Sequence, residues 1–531
     1  MTHATVGAMN SRTCLLGIDN GGTVTKAALY DTVGTELAVC AVKTEMTFPC
    51  PGHAEKDMEE LWSSNVRVVR EVMARAGVRG EEVAAVAVTG HGNGMYLVDS
   101  AGAPVGAGIN SADSRAAEYV ARWQSDGTFE RVLPRTCQSL WAAQPAALLA
   151  WFRDHRPRDL ERTRWVFMCK DFIRYRLTGE AAAEVTDYSG LSLMDIHRLR
   201  YDADLLAAYG LQGVSDKLPP VRGSAEICGR VTRGAAEATG LKEGTPVAGG
   251  LFDISACAIA CGITDAERLC LIAGSWSINE YLSPAPVQDR ELFMTSAYCI
   301  PGYWLITEAS ATSASNLEWV VSELMCAERE QARARGESVW DLVNRMVDGV
   351  APADSDVLFL PFLYGSNEGP TASAGFLGLH GWHGRAQMLR AVYEGVVFSH
   401  KRHLERLMRH RPSARAARIA GGAAKSGVWV QLFADALGLP IELTACEELG
   451  AMGAAICAGV GVGLFGSFEE AVKQMVRVSR TVEPRAALGP VYRDKYRRYV
   501  ATLEALKGAW NPPPSAPNRP SAALNPPSAA P

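Results

Sequence analysis

Apolar and polar residues alternate at the start of the chain in the way that β-strands require. The stretches "CLLGIDNGG" and "TKAALYD" predict the two strands of a β-hairpin around a glycine-rich turn. "TELAVCAVKTE" predicts a third strand, and residues 57–77 carry apolar side chains at helical spacing behind an acidic first turn. "EEVAAVAVTGHGNG" then predicts a buried strand that runs into a second glycine-rich loop.

The middle of the chain changes from strands to helices and back again. Helical patterns dominate from about 105 to 235 and predict an insertion on the first sheet. "TPVAGGLFDISACAIACGI" predicts a strand, a sharp turn and a helix whose first turn holds Asp253. "RLCLIAGSWSINEYLS" again predicts a strand, a glycine-containing turn and a strand, as at the start of the chain. We interpret this similarity as an internal duplication within an α/β protein.

The last third of the chain combines one strand with three helices. "RAQMLRAVYEGVVFSHKRHLERLM" predicts a long amphipathic helix, and "ARIAGGAAKS" predicts a strand. "VWVQLFADALG" and the small-residue stretch "LGAMGAAICAGVG" predict two further helices. After about residue 510 the composition is mainly Pro, Ala, Ser and Asn, which predicts a disordered tail because these residues cannot bury a core.

Composition excludes several classes of protein. A chain of 531 residues is expected to form two or more domains. The formal charge of −5 is spread without a basic stripe, so we expect a small ligand and neither a nucleic-acid nor a membrane partner. No apolar run suits a secretory signal or a membrane span, which predicts a cytoplasmic protein. The cysteines show no zinc-site spacing, and Cys257 and Cys261 are interpreted as core residues.

Two glycine-containing stretches resemble common nucleotide motifs but do not satisfy them. "GGAAKS" at 421–426 lacks the glycine that a P-loop requires before its lysine, because Ala424 precedes Lys425. "GVGLFG" at 461–466 matches the dinucleotide pattern but follows a helix instead of a strand. Neither motif is therefore assigned.

Glycine-rich turns recur in both halves of the chain, and most of them follow predicted strands. Consecutive backbone N–H groups in such turns form anion sites, and glycine lets phosphate oxygens approach where a Cβ would collide. One such turn is equally consistent with an ordinary hairpin. Several turns in two related halves predict a polyphosphate held between the halves; they are "DNGGT" at 19–23, "AGSWS" at 273–277, "AGGAAKSG" at 420–427 and "ELGAMGAA" at 448–455.

Four motifs, in this order, resemble the signatures of the FGGY carbohydrate kinases: "GIDNGGTVTKAALYD", "GGLFDISACAIACGI", "AGGAAKSGVWVQLFADALGLPIE" and "GAMGAAICAGVG". The resemblance covers roughly residues 13 to 505. It implies two ribonuclease H-like domains of the actin and Hsp70 type with an interdomain cleft. The expected boundaries are 13–255 for an N-terminal domain that binds sugar and 256–505 for a C-terminal domain that binds nucleotide, followed by the tail at 510–531.

The activity implied by the resemblance is transfer of the γ-phosphoryl group of ATP to a sugar hydroxyl, with Mg²⁺. "VRGSAEICG", "ITEASATSASNLEW" and "PFLYGSN" are most similar to the L-xylulose and 3-keto-L-gulonate kinase branch, which favours a small ketose of the L-xylulose type. The alternatives are a polyol or other pentulose kinase, or a regulatory member that binds ATP and sugar without catalysis. A homodimer is left open.

Two aspartates would carry the chemistry by this resemblance. Asp253 resembles the general base, and its place at a helix start favours the ionised form. Taken alone, Asp253 fits a helix cap equally well. Asp19 resembles the aspartate that binds magnesium through water, and its alternative is an Asx turn in the hairpin. The presence of both aspartates favours an active enzyme over a binding protein.

The resemblance also implies residues around the phosphates and the base. Gly22 stands where the family commonly has Thr, which weakens the assignment of Thr23, and Trp276 interrupts a usual run of small residues. The predicted nucleotide-binding residues are Gly21, Gly22, Thr23, Lys26, Gly274, Ser275, Gly421, Gly422, Ser426 and Gln431.

Sugar recognition is expected from the first half of the chain. The loop "TGHGNG" follows a buried strand and is predicted to carry His91 and Asn93 at its tip, although an exposed loop histidine without a function is nearly as good an interpretation. Asp113 and Arg115 match a family Asp-x-Arg pattern. A buried site that pairs each hydroxyl rejects analogues that lack one, which explains such polar side chains.

Overall fold

Two mixed β-sheets organise the computed structural model, which describes residues 13–369, 371–411 and 413–510. The strands of the first half are β1 Cys14–Asn20, β2 Val24–Asp31, β3 Glu36–Lys43, β4 Glu55–Lys56, β5 Val83–Gly90, β6 Tyr96–Val98, β7 Gly108–Ile109, β8 Trp165–Phe167, β9 Ala183–Glu184, β10 Met194–Asp195, β11 Arg200–Tyr201, β12 Val221–Arg222, β13 Ile227–Arg230, β14 Pro246–Ala248 and β15 Leu251–Phe252. The strands of the second half are β16 Arg268–Ala273, β17 Ser277–Ser283, β18 Met294–Ala297, β19 Trp304–Ser310, β20 Leu358–Leu360, β21 Gly375–Leu377, β22 Ala416–Ala420, β23 Ile441–Thr444 and β24 Val478–Val482.

Helices cover the sheets and form most of the region between 117 and 239. Those of the first half are α1 Met58–Ala76, α2 Ala117–Ser125, α3 Thr128–Thr136, α4 Pro145–His155, α5 Pro157–Arg162, α6 Cys169–Thr178, α7 Val185–Tyr188, α8 Ala203–Ala208, α9 Arg233–Thr239 and α10 Asp253–Ala260. Those of the second half are α11 Ser315–Leu324, α12 Cys326–Arg335, α13 Val339–Asp348, α14 Arg385–Leu407, α15 Gly427–Leu437, α16 Leu449–Gly461, α17 Phe468–Met475 and α18 Gly489–Trp510. Among the described residues, no helix is long and apolar enough to cross a bilayer.

The two sheets share one strand pattern, which confirms the predicted duplication. The first sheet has the order β13-β14-β5-β1-β2-β3, with β15 also on β5, and the second has the order β18-β19-β17-β16-β22-β23-β24. In each sheet the opening strand pairs antiparallel with the second strand and parallel with a later strand that follows a long helix, namely β5 after α1 and β22 after α14. The protein is thus a two-domain α/β protein with two copies of a ribonuclease H-like sheet, as expected.

Some elements differ from the sequence predictions. The region predicted to be mainly helical also contains β13, which pairs antiparallel with β14 at the edge of the first sheet. β13 has only four residues and one of them is buried, so its alternation is too short to be read as a strand. The predicted tail at 510–531 lies outside the described residues except for Trp510, whose ring packs on Phe362 at the end of α18.

The small-residue helix α16 joins the two domains. It packs on β1 and β5 of the first sheet and alongside α10, and buried residues of both helices share one cluster with Leu15 of the first sheet and Cys270 of the second. A Cβ at Gly17 would overlap the carbonyl of Ala451, and a Cβ at Gly453 would overlap the backbone of α10. The glycines of β1 and α16 therefore permit backbone contact between the domains.

We expect Gly17→Ala to destabilise the protein by roughly 1–3 kcal/mol, since the added methyl group overpacks the contact between β1 and α16. The measurement is urea unfolding followed by circular dichroism. Gly234→Ala in α9 is the control, because a Cβ there meets no atom within 4 Å and alanine favours a helix. Equal unfolding midpoints for Gly17→Ala and the wild type would contradict this account of the interface.

Candidate active site

Three neighbouring strands of the first sheet end at the same edge and bring the predicted catalytic residues there. β5 runs parallel to both β1 and β15, with Asp19 opposite Thr89 and Phe252 opposite Gly90. Asp253 follows Phe252 directly as the first residue of α10. A Cβ at Gly92 would overlap the ring of Phe252, so the predicted sugar loop packs against the residue next to Asp253.

Asp253 is a half-buried carboxyl group that accepts a short hydrogen bond. Its Oδ1 accepts from the N–H of Ile254 at 2.7 Å, while Phe252 occupies the N-cap position of α10. Burial, followed by the charge of Asp19, raises the pKa of Asp253 to about 7. The hydrogen bond from the helix start favours the ionised form, as expected, but burial and the like charge of Asp19 outweigh it in the free protein.

Asp19 lies beside Asp253 and against the first turn of α16. Burial raises the pKa of Asp19 to about 6, and the nearby charge of Lys26 opposes this increase. A Cβ at Gly450 would overlap the Asp19 carboxylate, which shows how closely the helix covers it. An Asx turn would need a hydrogen bond from a nearby backbone N–H to this carboxylate. No such hydrogen bond is found within residues 13–369, 371–411 and 413–510, so the structure does not support the Asx turn.

Lys26 lies directly opposite Asp19 on the β1–β2 hairpin but pairs with a different acid. Its Nζ is 2.6 Å from Oε2 of Glu448, the residue before α16. Burial disfavours the ammonium ion, but the hydrogen bond and the charge of Glu448 outweigh burial and raise the pKa of Lys26. The predicted phosphate lysine thus connects the first hairpin to the second domain.

The two glycine hairpins have an open backbone. A Cβ at Gly22 or at Gly274 would meet no protein atom within 4 Å, and neither residue has a positive φ. Neither protein packing nor backbone conformation requires glycine at these two turns. The carbonyls of Gly274 and Ser275 accept hydrogen bonds from the N–H groups of Ala314 and Ser313 at 2.8 and 3.1 Å, which holds the second hairpin in place.

The remaining predicted nucleotide residues are divided between the turn after β22, helix α15 and the first hairpin. Gly421 has a φ of +87°, and a Cβ there would be 2.8 Å from the Gly274 nitrogen, so this turn requires glycine and touches the hairpin. Gly422 lies in the following 3₁₀ turn, and Ser426 caps α15 by accepting from Trp429 N. Gln431 lies on α15 and donates to Asp435 at 3.0 Å, while Gly21 and Thr23 lie in the first hairpin turn.

The sugar loop is organised differently from its prediction. His91 is not at an exposed tip: it is only 5% exposed, with Nε2 3.0 Å from the Tyr96 hydroxyl and 3.3 Å from Nδ2 of Asn110. Burial lowers the pKa of His91 to about 3, so it is neutral. Asn93 is half-buried and adopts a left-handed φ of +58°, which non-glycine residues rarely do outside functional or turn positions.

Asp113 and Arg115 form a buried ion pair instead of offering free groups. Arg115 Nη2 is 2.8 Å from Asp113 Oδ2 and 2.7 Å from Glu55 Oε1. Asp113 Oδ2 also accepts from Ala54 N at 2.7 Å. The sequence pattern identified a pair that does meet, but its hydrogen bonds within the protein indicate that it builds the wall of the first domain.

Aromatic rings connect the sugar side with the second hairpin. The indole of Trp141 makes edge contacts with Trp276, at 5.8 Å between ring centroids, and with Phe293, at 5.9 Å. The segment of Trp141 also reaches the sugar loop, since Gly94 N donates to Ala143 O at 2.7 Å. Glu308, on β19 of the second sheet, is buried and paired with Arg406 at 2.6 Å.

A buried charged cluster behind α10 was not assigned from the sequence. Lys170 Nζ lies 2.9 Å from Asp171, 3.3 Å from Glu184 and 3.8 Å from Asp187. Both Asp187 oxygens lack a hydrogen-bond partner, and burial raises the pKa of Asp187 well above its usual range. The cluster contacts the site through Thr186, whose hydroxyl accepts from Phe252 N at 2.9 Å. These residues are buried because the inserted segment folds over the sheet. Local sequence patterns do not show which of its charged residues become buried in this way.

The duplicated sheets, the helices shared between domains and the paired carboxyl groups define a two-domain kinase with the actin and Hsp70 type of fold. Comparison with protein families gives the particular family. The model of the N-terminal domain of the FGGY family of carbohydrate kinases matches residues 14–260, and that of the C-terminal domain matches residues 269–462. The chain belongs to the FGGY family of carbohydrate kinases and is a sugar kinase, which confirms the family, the fold and the enzyme class expected from the motifs.

Relatives of known name agree with this assignment. The chain is 39% identical over 495 residues to the L-xylulose/3-keto-L-gulonate kinase of Escherichia coli (strain K12), covering 93% of this chain and 97% of that protein. It is 38% identical over 497 residues to the probable L-xylulose kinase of Pasteurella multocida (strain Pm70), covering 93% and 99%. The crystal structure of xylulose kinase from Rhodospirillum rubrum superposes with a TM-score of 0.83 at 27% identity, covering 94% and 99%.

Proposed function

We propose that this kinase transfers the γ-phosphoryl group of ATP to a hydroxyl of a small ketose, with an L-xylulose-like pentulose as the favoured substrate. The observation that carries the proposal is the pair of half-buried carboxyl groups, Asp19 and Asp253, at the edge where the sugar loop and the first glycine hairpin meet. The names of the relatives at 39% and 38% identity support the choice of sugar.

Asp253 is the general base in this proposal. Phosphoryl transfer passes through a loose transition state, so the protein mainly positions the reactants and balances charge, while one carboxylate accepts the hydroxyl proton. The hydrogen bond from Ile254 N orients the Asp253 carboxylate at 2.7 Å. Its raised pKa makes it a stronger proton acceptor once it is ionised.

Magnesium fits the carboxylate pair. Asp19 and Asp253 repel each other, Lys26 is paired with Glu448 instead of Asp19, and a divalent cation would relieve the repulsion. No group of three His, Cys, Asp or Glu side chains that could hold a metal occurs in the described part of the chain. Mg²⁺ would therefore be held by Asp19, mainly through water and with phosphate oxygens, in the way it commonly binds. When bound it neutralises charge on the transferred phosphoryl group.

The nucleotide phosphates lie between the two hairpins in this proposal. The open backbone at Gly22 and Gly274 supports close approach of phosphate oxygens, with Gly21, Thr23, Lys26 and Ser275 beside them. The turn after β22 continues this surface; we assign Gly421, Gly422, Ser426 and Gln431 to the nucleotide side.

The sugar binds against Asp253 and the loop at 90–94 in this proposal. Asn93, half-buried and left-handed, is the contact that the loop offers most directly. His91, Asp113 and Arg115 hold the walls of the pocket, since their polar atoms already bond within the protein. A polyol or another pentulose remains the second candidate substrate.

Further assignments complete the proposal. We place the domain boundary at 255/256, within the first turn of α10 and directly after the segment that carries Asp253. We also propose a cytoplasmic enzyme that acts on free sugar and ATP without a nucleic-acid or membrane partner. A homodimer is compatible with it. A regulatory protein without catalysis is disfavoured because both carboxyl groups are present and adjacent.

We expect Asp253→Asn to reduce kcat for sugar phosphorylation by about 10³-fold or more, because the hydroxyl proton loses its acceptor. Binding of ADP, measured by calorimetry, should change little. Asp265→Asn removes an exposed aspartate shortly after α10 and serves as the control that retains activity. Wild-type turnover in Asp253→Asn would refute the assignment of the base.

The pH profile should report the same carboxyl group. Asp253 accepts a proton only when ionised and has a pKa of about 7, so kcat/KM for the sugar should rise with pH through about 7 and level off above it. Because the negative charge of Asp19 raises that pKa, higher Mg²⁺ should move the midpoint to lower pH. A profile that stays flat down to pH 5 at low Mg²⁺, with the protein still folded, would contradict this expectation.

A coupled assay of ADP release across L-xylulose, D-xylulose, 3-keto sugar acids, tetritols and glycerol tests the substrate class. The expected result is the highest kcat/KM for L-xylulose or a related ketopentose, because the pocket must pair the hydroxyls of a small ketose. A preference for tetritols or glycerol would favour the polyol alternative. ADP release without any phosphorylated sugar would argue against a catalytic sugar site.

A further inference from the structure

Lys26 pairs with Glu448 although Asp19 is its direct neighbour on the hairpin. Asp19 and Lys26 are direct cross-strand partners in the β1–β2 pair. Side chains at such positions lie on the same face with Cβ atoms roughly 4.5–5.5 Å apart, which normally favours an ion pair between opposite charges. An ion pair there would cover the carboxylate that the proposed function assigns to magnesium.

Glu448 prevents that pairing in the structure. Its Oε2 is 2.6 Å from Lys26 Nζ, whereas no ion pair between Lys26 and Asp19 is present among the described residues. The backbone of Glu448 is held in two ways, since its carbonyl accepts from the Tyr30 hydroxyl at 3.2 Å and from Met452 N in α16 at 2.9 Å. The acid is therefore anchored at the start of α16, while the ammonium group sits on a flexible side chain.

The charges around Lys26 are consistent with its pairing to Glu448 and not to Asp19. Lys26 and Glu448 side chains are 32% and 26% exposed, so the pair is partly screened from water by the surrounding protein. Burial opposes the ammonium ion, and Glu448 is the main group that restores its charge. The first turn of α16 at Gly450 lies against the Asp19 carboxylate, and among the described residues no ion pair to this carboxylate is found.

We propose that Glu448 is a positioning residue that holds the Lys26 ammonium group away from Asp19 and so keeps the Asp19 carboxylate available to a hydrated divalent cation. This inference rests on the proposed function, which assigns Asp19 to the metal. It adds a residue 422 positions from Lys26 whose role is exerted through the lysine.

Binding of Mn²⁺ alone to the full-length protein, measured by water-proton relaxation enhancement, tests the inference without turnover. Glu448→Gln should weaken Mn²⁺ binding about five-fold, the scale of a partly exposed ion pair, because Lys26 then turns to Asp19. Glu448→Asp keeps the charge but shortens the side chain by one methylene, so it should also weaken Mn²⁺ binding. This variant replaces Glu448→Gln if the glutamine variant is unstable. Glu447→Gln removes an equal charge one residue away, where Glu447 pairs with exposed Lys425 at 3.2 Å, and should leave Mn²⁺ binding unchanged.

A Lys26→Met background separates positioning from simple loss of negative charge. In that background Glu448→Gln should have no effect on Mn²⁺ affinity, because there is no ammonium group left to redirect. An equal loss in both backgrounds, or no loss in either, would overturn the role of Glu448. Asp19→Asn tests the underlying assignment: unchanged Mn²⁺ binding in this variant would refute the metal site itself, whereas weakened binding with no effect of Glu448→Gln would refute only the positioning role.

Discussion

Backbone contact between β1 and α16 is the constraint on which the site depends. Gly17 and Gly453 remove the side chains that would separate the helix from the strand and from α10. Interiors are close-packed, so even one methyl group at such a contact must displace an element. Because Asp19 ends β1 and Asp253 begins α10, the same packing decides how far apart the two carboxyl groups lie.

Several carboxyl groups lie close together at the end of the first hairpin. Asp19 raises the pKa of Asp253, and Glu448 lies close enough to raise that of Asp19. Lys26 lies opposite Asp19 on the hairpin, but its ammonium group pairs with Glu448 of the other domain. A divalent cation at this position would offset the repulsion between the carboxyl groups.

The duplicated domains contribute unequal parts. Both sheets supply an open glycine hairpin after their opening strand, at Gly22 and Gly274. Each half also carries a long segment between strands of its sheet, and the two segments differ. The segment of the first half holds the Asp113–Arg115 ion pair and places Trp141 against Trp276 of the other domain. The shared hairpins support the proposed phosphate site, while the first segment supports the proposed sugar surface.

Local patterns in the sequence determined the opening hairpin, the strand and helix around Asp253 and the small-residue helix α16, because periods of two and 3.6 residues and glycine turns act over short distances. The motifs also determined the family. The tertiary structure alone decided that Lys26 pairs with Glu448, that His91 is buried against Tyr96, and that Asp253 is not simply ionised by its helix start. The physical reason is that burial and charge–charge interactions depend on which distant residues the fold places together, and a sequence pattern does not contain those distances.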